Sequence, residues 1–214
     1  MNAAGCLIFD LDGTLYDQRM LRGRMVRELL RRNITSPLRL IRTVRILNAY
    51  RQAQEGLRAS SARASAQLDS ACRRCGYSRV DVEQCVEEWM VQAPLQHLTS
   101  CMPAGLIQRL EAAHAAGVKM AVCSDYPARA KLAAMGIEHL FHCVIAAQDT
   151  DVDRFKPDPR MLQAALDRLN MQASDAFYFG DREDVDGGAA RRAGIPFRIV
   201  HHPSELVDQL KTVF

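Results

Sequence analysis

The chain has 214 residues, enough for one large domain or for a core with an inserted lobe. Hydrophobic residues make up 48% and charged residues 25%, a composition typical of a soluble globular protein. The net charge is only +3, but it is unevenly distributed. The segment from Arg19 to Arg63 contains twelve arginines and two glutamates, a net charge of +10, and the rest of the chain therefore carries −7. This asymmetry indicates two regions with different tasks.

Three features of the sequence bear on cellular location: its apolar runs, its N-terminus and its cysteines. No apolar run approaches the length of a membrane span, and Asp10 and Asp12 interrupt the N-terminus where a signal peptide would be apolar. The seven cysteines are odd in number, and several fall within apolar runs, so we expect buried thiols and no disulfide framework. We therefore expect a cytoplasmic protein with no membrane partner.

The first predicted element is a buried strand at residues 6–9, a short apolar run that ends in Asp10 and Asp12. The period of two along a strand places both carboxylates on the same side, and Gly13 then permits a sharp turn. Adjacent carboxylates repel each other unless a cation or a proton relieves the repulsion, so the pair suits covalent catalysis with one nucleophile and one proton donor. Taken alone, these residues support equally well a core strand followed by an ordinary Asp-Gly turn.

A long helical stretch follows this turn. Ser36 and Pro37 predict a helix start, with Ser36 as the cap and Pro37 at the first helical position. Gly76 and Pro94 predict the ends of two further helices. Four helices are expected, at residues 19–32, from 36 onward, at 64–75 and at 81–91. We therefore predict a helical bundle inserted at residues 16–98.

From residue 101 onward, strands and helices alternate. Strands are predicted at residues 118–123, 143–147, 176–179 and 197–200, with helices at 103–116, 128–135, 157–170 and 188–193. Helices between strands imply parallel pairing and right-handed crossovers. The predicted fold is α/β: a doubly wound parallel sheet built from residues 1–15 and 99–214, with an all-helical cap at residues 16–98.

Polar side chains follow the predicted strands at the edge where a parallel sheet forms its sites. After the aspartate pair come Ser124, then Lys156 at a helix start, then Asp181. Each has a plain structural interpretation: Ser124 as a helix cap, Lys156 as a solvated charge, Asp181 as part of a turn. Together they favour an active site, because separate strand ends would otherwise deliver a nucleophile, a hydroxyl, a cation and a second acidic cluster by accident.

These residues resemble the four motifs of the haloacid dehalogenase superfamily of phosphotransferases. The first (DxDGT) matches Phe9-Asp-Leu-Asp-Gly-Thr-Leu15, the second Ser124, and the third Lys156 in Lys-Pro-Asp-Pro159. The fourth (GDxxxxD) matches Gly180-Asp-Arg-Glu-Asp-Val-Asp186, followed by Ala193-Gly-Ile195. The resemblance covers the whole chain, and it implies a Rossmann-like core with the helical insert as the family's C1 cap.

The resemblance also implies catalytic roles. Asp10 is expected to be the nucleophile that forms an aspartyl-phosphate. Asp12 is expected to protonate the leaving oxygen and then to deprotonate the attacking water. Ser124 and Lys156 are expected to bind phosphoryl oxygens.

A magnesium site follows from the same resemblance. Asp10, Asp181 and the backbone carbonyl of Asp12 are expected to hold Mg²⁺, which prefers such oxygen ligands. Asp186 is expected to join or orient this shell, with Asp184 as the alternative.

Asp125 departs from the family pattern, which often has Asn or a similar polar residue after the hydroxyl of the second motif. A carboxylate beside a phosphate is unfavourable, so Asp125 must point away, pair with a cation, or contact a positively charged group of the substrate. All three alternatives remain open, and Asp125 is placed with Ser124 and Lys156 among the substrate-binding residues.

The predicted function is a Mg²⁺-dependent phosphatase that hydrolyses a small phosphomonoester metabolite through an aspartyl-phosphate. A phosphomutase using the same site is an alternative. Another is a nucleic-acid end phosphatase or nucleic-acid-binding protein that uses the arginine-rich cap, and a third is an inactive interaction module. Asp12 counts against a dehalogenase, because halide leaves without a proton.

The arginine-rich segment bears on the choice among these functions. Tyr50 is the only aromatic residue between Arg19 and Arg63, and the whole chain has 24 arginines against four lysines, so a solvated helix face is favoured and no nucleic-acid partner is expected. Arg22, Arg51 and Arg19 are the candidates to contact the non-reacting part of the substrate. The oligomeric state and the identity of the substrate are left open.

Overall fold

The structure, a computed structural model, describes residues 5–60 and 62–213. Within these residues, one parallel sheet contains five strands in the order β3-β2-β1-β4-β5. The strands are β1 (Cys6–Phe9), β2 (Lys119–Ser124), β3 (Cys143–Ala146), β4 (Ala176–Gly180) and β5 (Phe197–Ile199). This topology confirms the predicted α/β doubly wound fold.

Helices make up most of the rest of the described chain. Between β1 and β2 lie α1 (Gln18–Arg32), α2 (Pro37–Ala59), α3 (Gln67–Cys75), α4 (Arg79–Val86) and α5 (Ala93–Leu98), followed by α6 (Leu106–Ala115). The remaining α-helices are α7 (Arg129–Ala134), α8 (Arg160–Leu169), α9 (Gly188–Ala193) and α10 (Pro203–Val213). None of the helices in the described ranges combines the length and apolarity that crossing a membrane requires.

The sheet is buried on both faces because apolar residues fill β1 and the interior positions of β2. In β1, Leu7 and Phe9 enter one core, while Cys6 and Ile8 enter the other. Helices α6, α7 and α10 cover the first face, and α8 and α9 cover the second. This two-sided burial explains why the strands are continuous apolar runs.

Helices α1 to α5 form the helical insert, and they differ in what they pack against. Helices α2, α3 and α4 share a small core of their own, in which Ile46, Ala53 and Ala71 are almost fully buried. Leu21 of α1 and Leu98 of α5 instead belong to the main core beside the sheet. The insert is therefore anchored at both of its ends, and the boundary at residues 16–98 stays a prediction.

Two local predictions were wrong, and one helix was missed. Ser36 precedes α2, with Pro37 as its first residue as expected, but its side chain forms no capping hydrogen bond. Pro94 does not follow the end of the helical path. A π-helical turn (Glu87–Gln92) leads directly into α5, and Pro94 lies in the first turn of α5. Helix α10 was not predicted, although the buried Leu206 and Leu210 fix it to the core.

Candidate active site

The candidate site lies at the carboxyl ends of the central strands. From β1 the chain crosses to β2 and β3 on one side, and it then returns to β4 and β5 on the other. The strand order therefore reverses beside β1, where open α/β sheets form their crevice. Asp10 follows β1 directly, and its backbone N–H donates to the carbonyl of Phe179 in β4, 2.8 Å away.

The Asp10 side chain is held at both carboxylate oxygens. The Lys156 ammonium donates to Oδ1 at 2.5 Å, and the Thr14 hydroxyl donates to Oδ2 at 3.1 Å. Only 6% of Asp10 is exposed, so these bonds act with little competition from water. The carboxylate orientation is thus fixed by one residue of the same motif, Thr14, and by one residue far along the chain, Lys156.

Lys156, which precedes α8, is the buried cation of the site. Besides Asp10, its ammonium group contacts the Asp186 carboxylate at 2.6 Å, the Tyr178 hydroxyl at 3.2 Å and the Cys123 carbonyl at 3.3 Å. Burial works to lower the pKa of Lys156, but the charges of Asp10 and Asp186 outweigh it and raise that pKa well above its ordinary value. Lys156 is therefore a permanent positive charge beside Asp10.

Asp186 is fully engaged by hydrogen bonds. Its Oδ1 accepts from Lys156 and from the Tyr178 hydroxyl at 2.6 Å, while Oδ2 accepts from the backbone N–H groups of Asp181 and Arg182 at 3.2 and 3.0 Å. A Cβ at Gly180 would overlap the Asp186 side chain, so the close approach requires glycine. Asp186 thereby fixes the loop that carries Asp181.

Asp184, the alternative to Asp186, lies outside this cluster. Its side chain is 71% exposed and pairs with Arg182 at 2.8 Å. Of the two candidates, the structure brings only Asp186 next to Asp10 and Asp181.

Three carboxylates converge on one point of the site. Ligand oxygens of Asp10, Asp181 and Asp186 lie within 4.8 Å of one another. Burial, with the charge of Asp186, raises the pKa of Asp181 to about 6. Burial also raises the pKa of Asp10, with Asp186 and Asp181 adding to it and Lys156 opposing it.

This donor set fits a divalent cation. Three carboxylates face one ammonium group, so the cluster carries excess negative charge, and hard oxygen donors are what Mg²⁺ prefers. A Cβ at Gly13 would overlap the Asp181 carboxylate, and Gly13 has a φ of 104°, so glycine permits this approach of the Asp10–Gly13 loop to Asp181.

Asp12 has a cation of its own. The Lys131 ammonium, from α7, donates to Asp12 Oδ1 at 2.6 Å, and the Tyr16 hydroxyl donates to the same oxygen. Burial works to raise the pKa of Asp12, but the charge and hydrogen bond of Lys131 outweigh it, so that pKa lies below its ordinary value. Each aspartate of the first motif is thus paired with a different lysine.

Ser124, the last residue of β2, does not reach the cavity, although the sequence predicted that it would. Ser124 is fully buried, its Oγ accepts a hydrogen bond from the backbone N–H of Tyr126 at 3.3 Å, and its side chain does not line the cavity above Asp10. Ser124 therefore lies at the expected strand end with its oxygen supporting the local turn.

Asp125 pairs with a cation, which is one of the three alternatives open from the sequence. Its Oδ2 accepts from the Arg58 guanidinium at 2.5 Å, and its Oδ1 accepts from the backbone N–H of Lys156 at 3.3 Å. Arg58 belongs to α2, and its side chain is 8% exposed. Asp125 therefore links the helical insert to the sheet.

A cavity of 480 Å³ lies between the helical insert and the strand ends. Asp10, Asp12, Asp181 and Lys156 line its floor, and α1 and α2 line its walls. Glu55 of α2 binds Arg182 at 3.1 Å across the gap, beside the Arg58–Asp125 pair. The insert thus covers the cluster formed by Asp10, Asp12, Asp181 and Lys156.

Sequence reasoning did not find Lys131, Tyr16, Thr14 or Arg58. Thr14 lies within the first motif, although it was assigned no role from the sequence, and Tyr16 directly follows that segment, so a search of its flank would have found it. Lys131 carried a subtler signal: only four lysines occur in a chain with 24 arginines, and two of the four lie in this site. A compact ammonium group suits such a narrow buried position better than a guanidinium.

A doubly wound sheet, paired aspartates after β1, a buried lysine and a second acidic loop agree with a haloacid dehalogenase-like hydrolase. The family model described as "Hydrolase: haloacid dehalogenase-like hydrolase" matches residues 5–194. The chain belongs to this family, which confirms the resemblance drawn from the motifs.

Named relatives are similar over parts of their length. A glyceraldehyde 3-phosphate phosphatase of Methanopyrus kandleri is 40% identical over 65 residues, which are 30% of this chain and 27% of the relative. A phosphoglycolate phosphatase of Rhodospirillum rubrum is 35% identical over 101 residues, 46% of this chain and 41% of the relative. The chain therefore aligns with less than half the length of these curated relatives.

Solved structures are similar over nearly the whole chain. A 2-haloacid dehalogenase of Pseudomonas syringae has a TM-score of 0.64 at 18% identity, with 97% of each chain covered. A HAD phosphatase of Thermococcus onnurineus has a TM-score of 0.62 at 20% identity, with 91% of this chain and 85% of that chain covered. At such identities the likeness shows the fold alone.

Proposed function

We propose that this protein is a Mg²⁺-dependent phosphatase that hydrolyses a small phosphomonoester through an aspartyl-phosphate on Asp10. The observation that carries the proposal is the Asp10 carboxylate, fixed by Lys156 and Thr14 on the floor of a covered cavity, with Asp181 alongside. The phosphatase names of the two curated relatives support the same chemistry. A covered volume of 480 Å³ favours a small substrate.

In the first step, an Asp10 oxygen attacks phosphorus, so that an O–P bond forms as the ester O–P bond breaks. Lys156 stabilises the negative charge on the phosphoryl oxygens and holds the nucleophile in line. Asp12 gives its proton to the leaving alkoxide. The negative charge of the bound phosphate opposes the effect of Lys131 on Asp12, and this favours the protonated acid when substrate is present.

In the second step, water attacks the phosphorus of the aspartyl-phosphate. Asp12, now anionic, accepts the proton of that water, and Lys131 and Tyr16 hold its carboxylate in position. The Asp10–phosphorus bond breaks, and inorganic phosphate leaves with Asp10 restored. Ser124 keeps its hydroxyl proton, but its side chain does not line the cavity and would have to turn toward Asp10 before it could donate to a phosphoryl oxygen.

The residues that would hold Mg²⁺ are Asp10, Asp181 and the backbone carbonyl of Asp12. When bound, the ion would neutralise charge between the nucleophile and the phosphate. Asp186 acts on this set as a positioning residue, because its oxygens already accept bonds from Lys156, Tyr178 and two backbone N–H groups.

Asp12 separates this function from that of the dehalogenase with the same fold. A halide leaves as an anion and needs no proton, whereas an alkoxide does. An acid held at the cavity floor by Lys131 and Tyr16 therefore has a use in ester hydrolysis and none in dehalogenation.

Phosphate release from a panel of phosphomonoesters tests the proposal. We expect hydrolysis in Mg²⁺, none in excess EDTA, and none by Asp10→Asn, which keeps the shape of the side chain and removes the nucleophilic anion. Activity of Asp10→Asn within about tenfold of wild type, a barrier change of only ~1.4 kcal/mol, would contradict the nucleophile assignment. Full activity in EDTA would contradict the metal assignment.

A further inference from the structure

Two arginines of the helical insert line the cavity without a carboxylate to pair with. Arg22 of α1 and Arg51 of α2 both lie in the wall, as do Arg58 and Arg182. Arg58 and Arg182 each form ion pairs with acidic side chains. In the described part of the chain, neither the Arg22 nor the Arg51 side chain has a hydrogen bond or an ion pair.

The position of this pair follows from the geometry of α2. At its C-terminal end, Arg58 contacts Asp125 of the sheet loops, and Gln54 accepts a hydrogen bond from the Tyr126 hydroxyl at 2.5 Å. Arg51 lies a further three residues along α2, so about 4.5 Å farther from the strand ends. Arg22 and Arg51 therefore lie in the wall of the same cavity whose floor carries Asp10 and Lys156.

Electrostatics at this position favour an anion. The two guanidinium groups interact with each other: burial first, and then the charge of Arg22, lowers the pKa of Arg51. Like charges that face a common cavity raise the energy of the empty site, and an anion between them reverses this effect. A guanidinium also offers several N–H donors in the geometry that carboxylates and phosphates accept.

Beyond Arg22 and Arg51 the cavity wall is apolar, so it does not favour a charged extension of the substrate. Met25 and Leu29 of α1 and Leu47 and Val44 of α2 line the outer part of the same cavity. A charge placed there would lose hydration without gaining a partner. A second negative charge of the substrate is therefore favoured beside Arg22 and Arg51.

We propose that Arg22 and Arg51 bind a second anionic group of the substrate, so that the preferred substrates are short phosphomonoesters bearing a carboxylate or a second phosphate. This inference rests on the proposed phosphatase function. It names the substrate class of the same site and assigns the two residues that select it.

The test compares matched probes on the full-length enzyme with Mg²⁺. The probes are phosphoglycolate (a phosphate with a carboxylate), fructose bisphosphate (two phosphates), glycerol phosphate (neutral body) and phenyl phosphate (apolar body). The variants are Arg22→Met and Arg51→Met, which keep length and remove charge. Arg19→Met and Arg45→Met are the controls, since they remove arginines of α1 and α2 that do not line the cavity.

We expect wild type to prefer at least one acidic probe over glycerol phosphate by roughly tenfold or more in kcat/KM, the scale of one charged hydrogen bond. Arg22→Met and Arg51→Met should abolish most of that preference, because KM should rise far more for the acidic probe than for glycerol phosphate, while kcat changes less than KM. The controls should retain the preference. Whether phosphoglycolate or fructose bisphosphate is preferred identifies the second anion as a carboxylate or a phosphate.

A second readout does not depend on turnover. Because each arginine repels the other, removing either one should leave the melting temperature equal or higher, whereas removal of an arginine with a structural partner would lower it.

Several outcomes would overturn the inference. One is equal use of neutral and acidic probes by wild type, and another is a preference of wild type for phenyl phosphate. A third is an equal loss of activity on all four probes in the variants. Each of these results would leave the proposed phosphatase function unchallenged. Failure to hydrolyse any of the four would contradict the phosphatase function itself, and the inference with it.

Discussion

The two aspartates of the first motif are each paired with a different lysine. Lys156 contacts Asp10, and Lys131 contacts Asp12, each within 2.6 Å. The sequence indicated only that some cation or proton must relieve the repulsion between these carboxylates. The pKa of Asp10 is raised while that of Asp12 is lowered, so residues two positions apart acquire different chemistry from their surroundings.

Lys156→Met tests how far the site depends on its buried cation. The substitution leaves Asp10 and Asp186 buried without their shared ammonium group, so we expect a loss of about 3–5 kcal/mol in the free energy of unfolding. Urea denaturation measures this loss. Lys211→Met is the matched control: its lysine is 50% exposed and pairs with Asp208 on the surface, so it should cost less than about 0.5 kcal/mol. Equal effects of the two substitutions would contradict the role of Lys156.

At the scale of elements, α2 connects the insert to the sheet. Its C-terminal end carries Arg58, which binds Asp125, and Glu55, which binds Arg182. These contacts cross the cavity close to the catalytic floor. Asp125, the residue that departs from the family pattern, is therefore one of the two acidic partners that hold α2 against the sheet.

The Arg58–Asp125 link makes a prediction for a double-mutant cycle. Arg58→Met leaves the buried Asp125 without its cation, so we expect lower stability and a higher KM. Adding Asp125→Asn removes the unpaired charge and should recover part of the stability, with a coupling of about 0.5–3 kcal/mol between the two changes. Thermal denaturation and steady-state kinetics on the three variants measure both effects. Strictly additive losses would show that the two side chains do not act as a pair.

The arginine stripe of α2 makes a separate prediction. Arg39 and Arg42 form ion pairs with Glu88 and Asp81 of the insert, and Arg42 and Arg45 lie over the ring of Tyr77. Because these charges already have partners, we expect no tight oligonucleotide binding. Salt titrations with a labelled oligonucleotide check this, with alanine variants of the three arginines alongside. Strong, salt-sensitive binding that the variants lose would instead favour the nucleic-acid alternative.

At the scale of the whole molecule, folding and metal binding are separable. The two cores beside the sheet and the third core in the insert consist of apolar side chains, whereas the acidic cluster lies at the strand ends. We expect EDTA to abolish activity while the circular dichroism spectrum and a cooperative thermal transition persist. Restoration by Mg²⁺ is the control. Loss of helical signal in EDTA would make the metal structural.

The sequence predicted best what depends on local pattern. Continuous apolar runs located the strands, because a sheet buried on both faces needs them, and the strand ends located Asp10 and Asp181. Lys156 was placed at a helix start, and Asp186 came from the match to the fourth motif. The spacing of the fourth motif favoured Asp186 and left Asp184 as the alternative, because both follow the same strand and the turn geometry separates them.

Long-range pairing and helix continuation were harder to predict. Lys131 meets Asp12 across 119 residues, and Arg58 meets Asp125 across 67, so no local pattern records either contact. Pro94 was interpreted as a stop although proline also fits the first turn of a helix, as it does in α5. Helix α10 was within reach, since it begins at Pro203 and the spacing of Leu206, Val207 and Leu210 is helical.

The central claim, that Asp10 becomes phosphorylated, is tested most directly by pre-steady-state kinetics of Asp12→Asn with nitrophenyl phosphate. Nitrophenolate leaves without needing a proton, so the first step should survive, while hydrolysis of the aspartyl-phosphate should slow by about 10²–10⁴-fold without its general base. The account predicts a burst of nitrophenolate equal to the enzyme concentration, and an acid-quenched phosphoryl group on the peptide that contains Asp10. Turnover without a burst, or a phosphoryl group on any other residue, would contradict it.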